Sequence, residues 1–290
     1  MITVTAAGGR LGRLVIEDLL KPGVPAGEIV AAVRHPRNAA DLAARGLQVR
    51  EADYERPDTL AAAFKDADRI LFISSNDPVR QAEQHATVVA AAKDAGPAAL
   101  IYTSYLNADT SGILMAQPHA RTEELIRGSG LPFAILRNGS YIENYTDNIG
   151  MWLQYRTIIG SAGDGKISGA TRADLAAAAA AVAAGEPITN RVYELGGTPF
   201  TMSELAAQTT RQTGTQVTYT DMPAPEYAKI LAAAGLPRFL TDAIADNSAG
   251  AARGAWHTDS QDLQQLLGRP STPISEAIAE ALRNYQHTQA

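Results

Sequence analysis

The chain has 290 residues, of which 46% are hydrophobic, a formal net charge of −6 and no cysteine. This length suits one large α/β domain, or a domain with a small lobe. The lack of cysteine excludes disulfides, zinc–thiolate sites, iron–sulfur clusters and a cysteine nucleophile. Basic residues are scattered, which argues against nucleic acid or an anionic membrane as the main partner. Because we find no targeting segment and no apolar run of about 18 residues, we expect a cytoplasmic protein without a membrane span.

The first twenty residues predict a strand, a glycine-bearing turn and a helix. Ile2–Thr5 is a short β-branched run, and apolar residues at helical spacing follow the glycines Gly8, Gly9 and Gly12. A helix that begins at such a turn binds a dinucleotide pyrophosphate at its N-terminus. Gly9 and Gly12 fit the last two positions of a G-x-x-G-x-x-G loop, whereas Ala6 occupies the first.

Five more strands follow at similar spacing, with four helices between them. Strands are predicted at 28–34, 47–53, 69–74, 99–103 and 132–137, and helices at 38–45, 57–64, 78–95 and 117–127. This alternation is typical of parallel strands joined by helical crossovers. We therefore predict an α/β fold with a Rossmann-like, doubly wound parallel sheet.

The alternation ends near residue 138. A glycine-rich segment covers 156–170, a helix is predicted at 172–184, and a strand at 190–196. A capping box formed by Thr201 and Glu204 opens another helix. A strand at 216–220 follows, and helices are predicted near 225–234, 237–246, 260–267 and 273–285. We place a nucleotide-binding Rossmann domain at 1–137 and a smaller α+β substrate lobe, which partly returns to the sheet, at 138–290.

Polar residues at the predicted strand ends are candidates for nucleotide binding, because open α/β sheets bind ligands beyond the carboxyl ends of their strands. Arg34 ends the second strand, where an arginine accommodates the 2′-phosphate of NADP; the alternative is a solvated loop residue. Asp53 ends the third strand, where an adenine would lie or where a carboxylate caps a turn. Ser74, Ser75 and the segment Thr103, Ser104, Tyr105 end the fourth and fifth strands, on the nicotinamide ribose side.

No Tyr-x-x-x-Lys pair, the acid pair of short-chain dehydrogenases, occurs in the sequence. His119-Ala-Arg-Thr-Glu123 stands where that pair is expected. A simple ketone is hard to reduce without a positioned acid, whereas a quinone gives a delocalised phenolate and needs a weaker donor. The missing pair therefore favours conjugated acceptors. His119 and Tyr141 are the candidate catalytic proton donors, with a solvated histidine and a core tyrosine as the alternatives; we predict no metal site.

Five segments resemble the NmrA-like atypical short-chain dehydrogenase family in the same order. They are 102–110, 136–145, 163–167, 170–174 and 192–195. The type 2 NAD(P)H:quinone oxidoreductases are the most similar group, over about residues 2–267, although they usually carry Thr-Gly-Ala-Thr-Gly where this chain has Thr5-Ala-Ala-Gly-Gly9. The resemblance implies NADPH as the cofactor and a quinone site between domain and lobe. It implies that Gly9, Arg10, Leu11 and Gly12 contact the pyrophosphate, and that Arg34 contacts the 2′-phosphate. It also implies that Ser74 and Ser75 contact the ribose and that Thr103–Tyr105 contact the nicotinamide. Finally, it implies that Asn138, Gly139, Tyr141 and Glu143 border the nicotinamide and the substrate.

Three functional hypotheses follow. The first is an NADPH-dependent oxidoreductase that transfers hydride to quinones or similar conjugated carbonyl acceptors. The second is a non-catalytic NADP(H)-sensing regulator. The third is a cofactor-free relative that catalyses a non-redox cyclisation or isomerisation, and Ala6 motivates it. A small-molecule partner is expected, and we include a homodimer among the expected assemblies.

Overall fold

The centre of the molecule is a parallel β-sheet. The computed structural model describes residues 1–289. Its strands are β1 (Ile2–Val4), β2 (Ile29–Val33), β3 (Gln48–Glu51), β4 (Arg69–Phe72), β5 (Ala99–Tyr105), β6 (Phe133–Asn138), β7 (Thr157–Gly160), β8 (Arg191–Leu195) and β9 (Thr218–Asp221). Seven of them form one sheet in the order β3-β2-β1-β4-β5-β6-β8, and every neighbouring pair is parallel. The order reverses between β1 and β4, and this confirms the predicted doubly wound fold.

Helices cover both faces of this sheet. The helices among the described residues are α1 (Arg10–Leu20), α2 (Ala40–Ala44), α3 (Pro57–Phe64), α4 (Gln81–Ala95), α5 (Gln117–Gly128), α6 (Glu143–Thr146), α7 (Ile149–Tyr155), α8 (Arg172–Ala184), α9 (Met202–Thr213), α10 (Ala224–Ala233), α11 (Arg238–Ala252), α12 (Asp262–Leu267) and α13 (Ile274–Gln289). Side chains of α1 and α8 fill the core on one face, and those of α3 and α4 fill it on the other. Since both faces are buried, the strands are continuous apolar runs, as in the fully buried β2.

A third core lies beside the sheet and contains Trp152 and Trp256. The parallel pair β7–β9 and the helices α7, α9, α11 and α13 contribute to it. In contrast, α8 packs on α1, and β8 pairs with β6 as the seventh strand of the main sheet. This is the return to the sheet that we expected of the second half. The division at residue 137 itself remains a proposal.

The predicted elements differ from the structure mainly at their ends. The predicted helix at 38–45 is a 3₁₀ turn, Pro36–Ala39, followed by the five-residue α2. The helix predicted from 78 begins at Gln81, because the Asp77 carboxylate accepts hydrogen bonds from the amides of Val79 and Arg80 and holds these residues in a turn. We did not predict α6 and α7.

The described residues, 1–289, contain no helix that is long and apolar enough to cross a membrane. Within the same range, no group of three or more histidine, aspartate or glutamate side chains could hold a metal ion.

Candidate active site

The glycine turn joins β1 to α1 at the point where the strand order reverses. Gly9 caps α1 in an extended conformation, and its amide donates to the Ala6 carbonyl at 2.9 Å. A Cβ atom on Gly12 would lie 2.5 Å from the Ala6 oxygen and 2.7 Å from the Ala7 Cα, so only glycine lets the helix pack on the turn. The first amides of a helix have no partner within the helix. The N-terminus of α1 therefore has a geometry that suits an anion, and the pyrophosphate contacts themselves stay a prediction.

Ala6 adopts the conformation that usually requires glycine. Its φ is +48°, in the left-handed region, where a methyl group costs about 1 kcal/mol. The side chain is partly buried and packs against the core shared by α1 and α8. The residue therefore keeps the shape of the turn at an energetic cost.

A pocket of about 430 Å³ lies beyond the carboxyl end of β2, and its lining residues are Arg34, His35, Pro36, Arg37, Asn38 and Glu51. The Arg34 side chain is exposed and has no ion-pair partner among the residues that the structure describes. The carboxylate of Glu51 is paired with Arg56, at 2.8 Å. Two guanidinium groups are thus available to a dianionic phosphate at the position predicted for Arg34.

The Asp53 carboxylate caps a turn. Its Oδ1 accepts the Glu55 amide at 3.0 Å, and the Asp53 amide donates to Thr59 Oγ1 at 2.9 Å. This is the structural alternative that we gave for Asp53; its contact with adenine stays a prediction. The neighbouring Tyr54, which we had not singled out, donates its hydroxyl proton to the Ile73 carbonyl at 2.7 Å and so links the ends of β3 and β4.

The serines and threonine at the ends of β4 and β5 differ in what their hydroxyl groups bind. Thr103 Oγ1 accepts the Ser74 amide at 2.9 Å and lies 3.4 Å from Ser74 Oγ, at the edge of the crevice. In contrast, Ser75 donates to Gln84 of α4, and Ser104 donates to the Glu123 carboxylate at 2.6 Å. Ser74, which is partly exposed, is therefore better placed for a ribose than Ser75 and Ser104, whose hydroxyl groups donate to structural partners, and the buried Thr103 lies beside it.

The ion pair between Glu123 and Arg137 was missed from sequence. Arg137 donates from Nε and Nη2 to both oxygens of Glu123, at 2.8 and 2.6 Å, and from Nη1 to Asp109 and Glu194. The hydrogen bond from Arg137 lowers the pKa of the Asp109 carboxyl. Glu123 stands where the lysine of a Tyr-x-x-x-Lys pair would be, and it is fully buried in this network. It is thus a structural residue that ties α5 to β6.

Two buried oxygen atoms near Tyr141 have no hydrogen-bond donor among the described residues. They are Asn138 Oδ1 and Glu143 Oε2; the other Glu143 oxygen accepts the Arg172 amide at 2.8 Å. Asn138 Nδ2 donates to the Tyr141 hydroxyl at 3.4 Å, and the Arg172 guanidinium lies 5.2 Å from the Tyr141 ring centre. Burial raises the pKa values of both Tyr141 and Glu143. Unpaired buried acceptors fit a ligand that offers N–H groups, such as a carboxamide.

Gly139 serves the packing of the sheet. A Cβ atom there would lie 2.3 Å from the Ser168 carbonyl, and the Gly139 amide donates to Leu195 at the end of β8. Only glycine allows the chain after β6 to pass this close to its neighbours. Its contact with the nicotinamide stays a prediction.

His119 is buried, which corrects our alternative of a solvated histidine. The residue is 8% exposed, and its Nδ1 lies 2.8 Å from the Tyr102 hydroxyl. Burial lowers the pKa of His119 to about 4, so the ring is neutral at neutral pH. Its ring centre is 5.5 Å from that of Tyr105, which in turn lies 4.7 Å from Trp256. His119 therefore offers a neutral imidazole beside an aromatic wall.

Comparisons with known proteins agree with this geometry. The family model described as NAD(P)H-binding matches residues 6–186, which span the glycine turn, Arg34 and the ends of β4, β5 and β6. The chain belongs to this NAD(P)H-binding family. Its cofactor is thus a nicotinamide dinucleotide, and the expected resemblance is confirmed.

Named relatives extend over nearly the whole chain. The sequence is 44% identical to quinone oxidoreductase 2 of Escherichia coli over 280 residues, or 96% of this chain and 98% of that protein. The crystal structure of the E. coli NADPH-dependent quinone oxidoreductase complexed with NADPH matches with a TM-score of 0.94, covering 97% of this chain and all of that one. The Citrobacter sp. triphenylmethane reductase complexed with NADP(H) matches at 36% identity with a TM-score of 0.91, covering 97% and 100%.

The residues present fit NADPH. The close approach of α1 to the turn at Gly12 leaves the helix amides open to a pyrophosphate. The pocket at Arg34 and Arg37 is cationic. Asn138 Oδ1 is a buried acceptor that has no donor among the described residues. These three features lie after β1, β2 and β6, along the same edge of the sheet. The predicted cofactor, NADPH, therefore agrees with both the family and the geometry.

Proposed function

We propose that this protein is an NADPH-dependent oxidoreductase that transfers hydride to quinones or similar conjugated carbonyl acceptors. The observation that carries the proposal is its similarity, over nearly the whole chain, to the E. coli quinone oxidoreductase 2 and to the NADPH complex of such an enzyme. The same similarity supports a redox enzyme over the non-redox alternative. The left-handed Ala6 keeps the turn closed, so it gives no reason to expect a fold without cofactor.

The protein binds and orients the dinucleotide. Amides of the first turn of α1 would hold the pyrophosphate, and Arg34 and Arg37 would hold the 2′-phosphate. Ser74 and Thr103 would meet the ribose, and Asn138 Oδ1 would accept from the carboxamide. NADPH supplies a hydride from its nicotinamide ring when it is bound.

The acceptor would lie against aromatic side chains beside the carboxyl end of β5. Tyr105 and Trp256 form one wall, and Tyr141 lies in the loop after β6. Flat aromatic walls favour flat conjugated rings. No residue replaces the lysine of the missing acid pair, since Glu123 is bound by Arg137. Acceptors whose reduced form is stabilised by resonance suit such a site, because they need little proton donation.

Cationic dyes are a second candidate class of acceptor. The 36% identity to a triphenylmethane reductase supports them. A triarylmethyl cation takes up a hydride at its central carbon and becomes neutral, so its reduction needs no proton at all. Both classes of acceptor contain an extended conjugated system, and the reduction of neither one needs a strong acid in the site.

Oxidation of NADPH in the presence of a panel of acceptors tests the proposal. We expect steady turnover with 1,4-naphthoquinone, turnover or inhibition with a triphenylmethane dye, and none with cyclohexanone, the simple-ketone control. Tight binding of NADPH without turnover of any acceptor would contradict it and would favour the sensing regulator. Formation of a homodimer and a cytoplasmic location also remain proposals, for which sedimentation and cell fractionation are the measurements.

A further inference from the structure

A cluster of polar side chains lies beneath the loops that follow β4 and β5. It is buried on the face of the sheet covered by α4 and α5, and its members are Gln81, His85, Tyr102, His119 and Thr122. Tyr102 and His85 are fully buried, and Thr122 is 1% exposed. We call these five residues the imidazole cluster. Only His119 among them was singled out from sequence.

The hydrogen-bond direction at His85 is fixed by the backbone. The Ser75 amide donates to His85 Nε2 at 2.9 Å, and an amide N–H cannot act as an acceptor. Burial lowers the pKa of His85 to about 3, so the ring is neutral and carries its single proton on Nδ1. That Nδ1–H donates to Thr122 Oγ1 at 2.8 Å, and Thr122 donates to the Pro118 carbonyl at 2.8 Å.

This direction decides the proton position on His119. The Tyr102 hydroxyl lies 3.3 Å from His85 Nδ1 and 2.8 Å from His119 Nδ1. Because His85 Nδ1 already carries a proton, His119 Nδ1 is the acceptor for the Tyr102 proton. In the opposite tautomer, His119 Nδ1 would donate to Tyr102, and the Tyr102 proton would have to turn to Thr122 Oγ1, which already accepts the His85 Nδ1 proton. The short contact between Tyr102 and His119 thus favours a proton on His119 Nε2.

The Nε2–H of His119 then lies beside a second donor. Gln81 Nε2 is 3.3 Å from His119 Nε2 and uses one of its two protons on the Ser75 carbonyl, at 2.7 Å. In this tautomer neither the Nε2–H of His119 nor the second Gln81 proton has an acceptor among residues 1–289, whereas in the opposite tautomer Gln81 would donate to His119 Nε2. Two N–H groups at this separation can converge on a single oxygen atom, as in an oxyanion hole.

We propose that Tyr102 holds His119 as the neutral Nε2–H tautomer, and that this N–H together with the Gln81 amide forms a subsite for one oxygen atom of a bound ligand. The identity of the ligand rests on the function proposed above. Its oxygen is either a ribose hydroxyl of the nucleotide or the carbonyl of the acceptor, which becomes a phenolate oxygen after hydride transfer. Tyr102 is a positioning residue in this arrangement, and a neutral imidazole donates to the oxygen without losing its proton.

The tautomer is measured without any ligand. Nitrogen spectra of protein labelled with ¹⁵N-histidine distinguish protonated from unprotonated ring nitrogens, and His119→Gln assigns the signals. We expect a proton on His119 Nε2 and a hydrogen-bonded, unprotonated Nδ1. In Tyr102→Phe, the Nδ1 signal should move to the position of an unprotonated nitrogen without a hydrogen bond, whereas Tyr193→Phe, the matched control, should leave it unchanged. A proton on Nδ1 in the unaltered protein, or an Nδ1 signal unaffected by Tyr102→Phe, would overturn the proposal.

The source of the oxygen is distinguished by adding ligands in turn. A shift of the His119 Nε2 signal with NADP⁺ alone assigns the subsite to the ribose, and a shift only after addition of 1,4-naphthoquinone assigns it to the acceptor carbonyl. No shift with either one overturns the proposal. This outcome differs from a failure of the proposed function, which is measured by turnover and does not depend on the His119 signal.

Kinetic measurements on variants of His119, the proposed hydrogen-bond donor, also test the subsite. His119→Phe removes the N–H and should lower either the affinity for NADPH or kcat by about 10-fold to 100-fold, according to the source of the oxygen. His119→Gln keeps an N–H donor in a similar position and should restore most of the loss. Equal losses in the two variants would indicate a structural role and would count against the subsite.

Discussion

Removal of the Arg34 side chain should convert the protein from an NADPH-binding to a weakly discriminating dinucleotide-binding protein. Arg34 lies in the pocket beyond β2, and among the described residues it has no carboxylate partner. Its substitution by alanine therefore breaks no ion pair of the unliganded protein. The loss should be confined to ligands that carry a 2′-phosphate, which makes NADH the natural control.

The size of the effect follows from the exposure of the site. A hydrogen bond to a charged group contributes about 1.5–3 kcal/mol, and solvent screening at an exposed arginine favours the lower half of that range. We therefore expect Arg34→Ala to weaken NADPH binding by about 2 kcal/mol, which is roughly 30-fold in Kd. Arg37 lines the same pocket, so part of the attraction should remain. The difference between the two proteins should decrease as salt is added.

Titration of nicotinamide fluorescence with NADPH and with NADH measures the four dissociation constants. The unaltered protein should prefer NADPH, and Arg34→Ala should lose most of this preference while its affinity for NADH stays the same. Arg238→Ala is the matched control, because Arg238 is an exposed arginine far along the chain. Equal affinity of the unaltered protein for both nucleotides, or parallel losses for both in Arg34→Ala, would refute the assignment of the pocket to a 2′-phosphate.

Three predictions concern stability, and urea unfolding measures each of them. Ala6→Gly should raise the free energy of unfolding by up to about 1 kcal/mol, because it relieves a left-handed alanine; a loss of stability would contradict the strain. Arg137→Met should lower it by about 3 kcal/mol, since the buried Glu123 loses its bidentate partner and keeps only Arg127 and Ser104, and Arg238→Ala should have no such effect. Burial lowers the pKa of His85 to about 3 from 6.5. As the pH falls below about 6.5, His85 therefore takes up a proton in the unfolded chain but not in the folded protein, and the free energy of unfolding decreases. His85 should contribute about 2 kcal/mol to the loss by pH 5, and the buried His119 a similar amount, so the loss should be about halved in His85→Asn and unchanged in a variant of the exposed His35.

The strands, the helices between them and the doubly wound class of the fold could be predicted because they depend on local pattern. The turn at Gly9 and Gly12 follows from close packing of a helix on a strand end, and continuous apolar runs mark buried strands. The helix Pro57–Phe64 was predicted with its observed bounds, since a proline at its start and an apolar face define it. Such signals are contained within a few residues.

The parts that were missed depend on contacts between distant segments. Arg137 has the same sequence signal as any strand-end arginine. Its partners, Glu123 of α5 and Glu194 of β8, come within reach only when α5, β6 and β8 are adjacent. The alternation of side chains along β5 likewise separates Thr103, which faces Ser74, from Ser104, which faces α5. A position at the end of a strand does not by itself indicate on which face of the sheet a hydroxyl group lies.

The tyrosine and lysine positions of the absent acid pair are occupied by two residues with different roles, and these roles limit the reactions that the site can catalyse. At the lysine position Glu123 is neutralised by Arg137 and serves the fold, so no cation is available there to lower the pKa of a neighbouring acid. At the tyrosine position burial lowers the pKa of His119 to about 4, so the imidazolium, which would be the proton donor, is scarcely populated at neutral pH. A site of this kind can stabilise negative charge on an oxygen by hydrogen bonding but does not supply a strong acid. Acceptors that delocalise the incoming charge over a ring therefore match it, and an isolated ketone, whose alkoxide needs a proton at once, does not.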